Sequence, residues 1–180
     1  CEVENRIVID DLLNTSIFAK QEYTIVHQDS HDSRGIDCAL LFSNKLQLVE
    51  YDFIVIKNPY LNKRTRDIVY AKLKFKDKVI NVFVNHWPSR WGGQPETNHK
   101  RVLVSKVLRD YIDTNIPEDE CTLIMGDFNA RPGKATTQAE RKIIGNHTLL
   151  KEQAQPHGEA EGVQENRGWL VKYCTDIEGI

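Results

Sequence analysis

The sequence predicts a layered α/β fold whose sheets are mixed and mainly antiparallel. Three observations carry that prediction. Stretches of strand character outnumber helical ones, one pair of them is joined by a connection of hairpin length, and a long stretch of helical period intervenes between others. A uniform strand–helix–strand repeat would not mix its connections in this way.

Taken in order, Glu2 to Lys20 carries Ile7, Val8, Leu12 and Leu13 among polar residues, the pattern of a short amphipathic helix. Tyr23 to Val26 is β-branched and aromatic and reads as a strand. Arg34-Gly35 interrupts the chain, and Ile36 to Phe42 (IDCALLF) is a nearly continuous apolar run suited to a strand buried on both faces. Leu46 to Ile56 is a further strand, ended by Asn58-Pro59. Asp67 to Phe75 alternates apolar and polar residues, Val79 to Val84 follows, and Lys76-Asp77-Lys78 between them suggests a hairpin. Pro88 to Asn98 reads as a polar loop, and Lys100 to Ile112 as the clearest helix, with Leu103, Val104, Val107, Leu108, Tyr111 and Ile112 on one face. Cys121 to Met125 is an interior strand. Beyond Gly133 the pattern weakens: Lys134 to Ile144 suggests a helix and Gln153 to Gly168 a long loop.

With 180 residues, 40% hydrophobic and 28% charged, the chain is long enough for one domain with a sizeable core. No apolar run approaches the ~20 residues of a membrane helix. A net charge of −2 excludes gripping nucleic acid by bulk charge, so a polyanion would have to be held locally, by a basic cluster or a metal ion. Cys1, Cys38, Cys121 and Cys174 form no CxxC pair, and Cys38 and Cys121 read as small buried hydrophobes. Neither GxGxxG nor a phosphate-binding GKS/GKT loop occurs, which removes dinucleotide and P-loop chemistry. Compartment and oligomeric state are not legible.

Four blocks carry candidate chemistry: CEVEN at the start, SRGIDCALLF, VFVNHWPSRWGG and LIMGDFNARP. Glu2 and Asp127 are hard carboxylate ligands of the type magnesium prefers. Asn129 stands two residues from Asp127, on the same side of an extended chain. His86 follows Asn85 at the end of an apolar strand, and Arg34, Arg64, Arg66, Arg90, Lys100 and Arg101 supply local positive charge. Carboxylates, a divalent ion, an amide, a histidine and arginines are what hydrolysis of a phosphate ester needs. The ion neutralises the phosphate, a base aligns water, and an acid assists the leaving oxygen.

GDFN after an apolar strand, NHWPSR, SRGID before an apolar strand, and the early Glu of CEVEN resemble the endonuclease/exonuclease/phosphatase family, of the deoxyribonuclease I and exonuclease III kind. The resemblance runs from Cys1 to about Pro132, with the blocks in the family's order. It implies a four-layer α/β sandwich: two mixed, mainly antiparallel sheets face to face, with helices outside. It implies a metal-dependent phosphodiesterase, with Mg2+ (or Mn2+ in its place) and DNA or another phosphodiester as substrate. Glu2 resembles the family's metal-binding glutamate, with Asp127 as a second ligand. Asp127 and Asn129 match the pair that aligns water and orients phosphate. His86 matches the histidine near the scissile phosphate. Arg34, Arg66, Asn85 and Arg90 are the candidates for holding substrate. The family's early Asn and its late Asp-His pair have no counterpart, so residues 1–180 are expected to be one domain of this kind, incomplete at both ends.

Each assignment has a plainer alternative. Gly, Asp and Asn are turn formers, so GDFN also fits a turn closed by Pro132. Glu2 fits a solvated acid at a helix start, with Glu4 as a competitor. Arg34 fits a surface ion pair, Lys100-Arg101 a solvated helix face, and Trp87 simple packing. At the level of function, the alternatives are a phospholipid or inositol phosphate esterase, and a non-catalytic module binding a partner on the same scaffold.

Overall fold

A computed structural model describes residues 1–57, 65–129 and 169–173. The element order is α1 (Arg6–Leu13), β1 (Tyr23–His27), β2 (Ala39–Ser43), β3 (Gln47–Ile54), β4 (Ile68–Phe75), β5 (Lys78–His86), α2 (Gln94–Asn115), β6 (Cys121–Asp127) and β7 (Trp169–Tyr173). Strands β1 and β2 pair antiparallel as a two-stranded sheet, and the other five form a second sheet in the order β3-β4-β5-β6-β7. All pairs in that larger sheet are antiparallel except β5–β6. Parallel neighbours need a long crossover, and α2 provides it. The mixed, mainly antiparallel architecture of two sheets agrees with the sequence prediction.

Side-chain alternation along β4, β5 and β6 divides the core in two. Ile68, Tyr70, Phe83 and Ile124 face Val104, Leu108 and Ile112 of α2. Val69, Ala71, Val82 and Val84, one residue out of phase, meet Val26, Leu40 and Phe42 of the small sheet. The period of two makes this division unavoidable once the register is set. The helix face also buries a polar cluster. Tyr70 Oη donates to Asn81 Oδ1 at 2.9 Å, Asn81 Nδ2 donates to Glu120 Oε2 at 2.8 Å, and Lys72 Nζ reaches Glu120 Oε1 at 2.8 Å. This network anchors the start of β6.

The β4–β5 hairpin forms where expected. Phe75 pairs with Lys78 around Lys76 and Asp77, and Lys76 takes a left-handed φ of 54°. Other expectations shift. Helix α1 is much shorter than the amphipathic stretch and leaves Ile7, Val8 and Leu12 exposed; only its Ile9 is buried. Its start is set by Asn5, whose side chain accepts from Val8 N at 3.1 Å. IDCALLF does not make a strand buried on both faces: the strand begins at Ala39, and only Leu40 and Phe42 of β2 are fully buried. Helix α2 begins at Gln94, within the expected loop, with a proline near its start. Cys121, read as an apolar side chain, is disulfide-bonded. Cys38 is a free buried thiol, which burial pushes up to about 11. The expected helix at 134–144 and loop at 153–168, together with Arg64, lie outside the described residues, and β7 was not foreseen.

Candidate active site

The parallel pairing of β5 with β6 sets His86 directly beside Asp127, and Asn85 beside Gly126. Both strands end there. His86 and Asp127 share the parity of Val84 and Met125, so they fall on the face turned toward the small sheet. Asn85 and Trp87 take the opposite parity. The register therefore sends the histidine and the acid to one side and the amide to the other.

The approach of the two strand ends depends on Gly126. Its φ is 130°, and a Cβ there would stand 1.8 Å from the Asn85 carbonyl oxygen. The chain then turns in a way that answers both readings of GDFN. Asn129 adopts φ 47°, a region that asparagine tolerates better than most side chains. Its N–H donates to Asp127 Oδ1 at 2.8 Å, and its Nδ2 donates to the Trp87 carbonyl at 2.9 Å. Trp87 N–H donates in turn to the Asp127 carbonyl at 2.8 Å. Phe128 and Trp87, both fully buried, stack edge to face at 5.0 Å beneath this turn. The turn is real, and it holds one oxygen of Asp127 while the other faces His86.

Asp127 Oδ2 lies 3.8 Å from His86 Nε2, and Glu2 Oε1 lies 3.9 Å from the same nitrogen. Glu2 reaches this point from the chain's first segment, which is pinned by a bridge between Val3 and Asp37. Its φ of 61° is a conformation that costs a residue with a Cβ energy and that tends to persist at functional sites. Glu2 is largely exposed and Asp127 partly so, whereas the His86 ring is buried.

Arg66 Nη2 donates to His86 Nε2 at 3.2 Å. A guanidinium has no acceptor, so Nε2 carries no proton and the ring proton sits on Nδ1. Burial, then the charge of Arg66, pushes His86 down to about 4. The ring is uncharged at neutral pH, and its approaches to Glu2 and Asp127 are not ion pairs there. Arg66 is itself buried, with Nε 3.8 Å from Asp32 Oδ2. Asp32 binds the Arg34 guanidinium through two bonds, at 2.9 and 2.8 Å.

Among the sequence candidates, the structure thus gathers Glu2, His86, Asp127, Asn129 and Arg66. Arg34 joins through Asp32, in the ion pair that was its plainer reading. Asn85 requires correction as a substrate contact. It is fully buried on the helix side, where Oδ1 accepts from Trp87 Nε1 at 3.2 Å and Nδ2 donates to the Phe83 carbonyl at 3.3 Å. Arg90 sits half-buried in the loop after β5, with its carbonyl accepting from Gly93 N–H at 3.0 Å. Arg101 is not on a solvated helix face. It is buried and donates to the Pro88 and Ser89 carbonyls at 3.4 and 3.3 Å and to Thr97 Oγ1 at 3.0 Å, so it holds the WPSR loop.

Sequence reading missed Asp32, Asp67 and His31. Asp32 was visible only as an acid two residues before Arg34, while His31 Nδ1 meets the buried Asp67 Oδ2 at 3.1 Å across a long sequence separation.

The model of the endonuclease/exonuclease/phosphatase family matches residues 1–154. The chain belongs to that family. Among solved structures, the human Nocturnin catalytic domain with bound sulfate superposes with a TM-score of 0.59 at 15% identity, covering 93% of this chain and 63% of that one. Truncated Caenorhabditis elegans TDP2 gives 0.57 at 16%, covering 96% and 68%. ANGEL2, a 2′,3′-cyclic phosphatase, gives 0.57 at 17%, covering 79% and 41%. At these identities the likeness concerns the fold. The chain spans about half the length of several of these structures, for example 50% of a conserved Enterococcus faecalis protein and 51% of a humanized D. rerio TDP2. No curated protein matches the sequence. No helix among the described residues is long and apolar enough to cross a membrane.

Proposed function

We propose that this family member hydrolyses a phosphate ester, a nucleic-acid phosphodiester foremost, with the help of a divalent cation. The observation that carries the reading is the convergence of Glu2 and Asp127 carboxylate oxygens on His86 Nε2, at 3.9 and 3.8 Å, where two parallel strands end. Glu2 and Asp127 offer oxygen donors that reach solvent, a set that suits Mg2+ or Mn2+. Bound there, the ion would neutralise phosphate charge as a Lewis acid. Asp127, with one oxygen tied to the Asn129 N–H, aligns the attacking water and draws off its proton. Asn129 keeps that carboxylate in place. Arg66 meets the phosphate, His86 holds that guanidinium in place by accepting at Nε2, and the leaving oxygen takes its proton from solvent water. Water is the nucleophile, so no covalent intermediate forms on the protein.

The test is plasmid nicking by the full-length protein with Mg2+, with EDTA, and with Asp127→Ala. Metal-dependent nicking that disappears in the variant supports the proposal. A folded protein that leaves DNA intact under all conditions overturns the nuclease reading.

A second reading, a lipid phosphodiester as substrate, has one observation in its favour. Trp91 is 93% exposed in the loop that follows the site histidine. Exposed tryptophans suit a membrane interface. Hydrolysis of phospholipid vesicles that falls in Trp91→Ser, with DNA untouched, would favour it.

A further inference from the structure

The connection between β1 and β2 brings three potential ligands together away from the site above. His27 closes β1, Asp29 follows it, and Asp37 precedes β2. One donor atom from each lies within 4.8 Å of the other two. His27 and Asp37 are deeply buried, with side chains 3% and 1% exposed, and Asp29 is exposed. Asp37 Oδ1 accepts from Ser30 N–H at 2.8 Å, which turns Oδ2 toward His27. His27 Nε2 nevertheless makes no hydrogen bond; it stands 3.4 Å from Asp37 Oδ2. Leaving a buried imidazole nitrogen without a bond is unfavourable, and an ion removes that penalty. Two ligands each about 2.1 Å from a tetrahedral ion lie about 3.4 Å apart, the separation that this pair already has.

We propose that His27, Asp29 and Asp37 form a divalent-metal site of the imidazole-binding class, with Zn2+ as its ion. One imidazole with two carboxylates suits Zn2+ better than Mg2+, which prefers oxygen alone. Such an ion would tie the end of β1 to the start of β2 and close the loop that carries Asp32 and Arg34. Its role is structural, and it is independent of the proposed hydrolysis.

The test is Zn2+ binding by the full-length protein, with Cys1 alkylated, measured by competition with a chromophoric chelator and by thermal unfolding. The parent and Asp127→Ala should each bind one Zn2+ at this site and unfold at a higher temperature with it. Asp29→Asn and His27→Gln should weaken binding at least about tenfold and lose the thermal shift. Asp29 is exposed, so its variant carries the test even where the buried His27 substitution does not fold. Zn2+ binding that requires Asp127, binding that survives Asp29→Asn unchanged, or no binding by the parent overturns the site. None of these outcomes depends on Mg2+-dependent hydrolysis.

Discussion

Replacing Gly126 by alanine would press a methyl carbon into the backbone of the neighbouring strand. The added Cβ would stand 1.8 Å from the Asn85 oxygen, 2.7 Å from its carbonyl carbon and 2.8 Å from its nitrogen. None of these is the tip of a flexible side chain, so β5 and β6 must separate. The φ of 130° adds a second cost, because that region belongs to glycine. Backbone strain of this kind costs about 1–3 kcal/mol, and overpacking costs about 1–3 kcal/mol more. Their sum of about 2–6 kcal/mol is a large part of the ~5–15 kcal/mol that stabilises a domain. With a urea slope of about 2 kcal/mol/M, a loss near 4 kcal/mol lowers the unfolding midpoint by about 2 M. Separation of the strands also carries Asp127 away from His86, so the proposed hydrolysis should fall further than the remaining folded fraction explains. A Gly126→Ala protein that unfolds at the same urea concentration as the parent refutes the account of how these strand ends meet.

Two further consequences concern stability. His86 is pushed down to about 4 from its ordinary value near 6.5. As pH falls, the unfolded chain takes up this proton first, so the histidine's contribution is intact above about pH 6.5 and is lost progressively toward pH 4. The decline should be about 1–3 kcal/mol in urea titrations between pH 7 and 4, and a slope in that window that persists unchanged in His86→Gln would contradict the assignment. Arg101→Met removes the donors to Pro88, Ser89 and Thr97. It should cost about 1–3 kcal/mol, because two part-buried carbonyls and the buried Thr97 hydroxyl lose a charged partner, and should speed amide exchange across residues 88–98; unaltered exchange there would show that the arginine does not hold the loop.

Much of the architecture was legible because it rests on local pattern. The strands at 23–27, 68–75 and 78–86 and the body of α2, from Lys100 to Ile112, announce themselves through period and β-branched content, and the hairpin through its short turn, whereas the first turns of α2 fell in the expected loop. The ends of α1 and β2 were not, since a capping side chain and an unpaired edge decide where they stop. The candidate residues of the site were legible as chemistry, through GDFN, NHWPSR and the early glutamate. Where each side chain points was not legible.

Asn85 and His86 are neighbours in sequence, and nothing local says which faces the small sheet and which faces α2. The pairing of β5 with β6 decides it, because a strand sends successive side chains to opposite faces. Arg101 looked like a solvent-facing cation until α2 was packed against the sheet beneath the WPSR loop. Asp32 acquired its place only when the loop after β1 met Arg66, far along the chain. The sequence by itself determined most of the elements, the family and the candidate chemistry of the GDFN and NHWPSR blocks. Tertiary structure alone decided register, burial and pairing, because these depend on contacts between residues distant in the chain, and local pattern carries no record of such contacts.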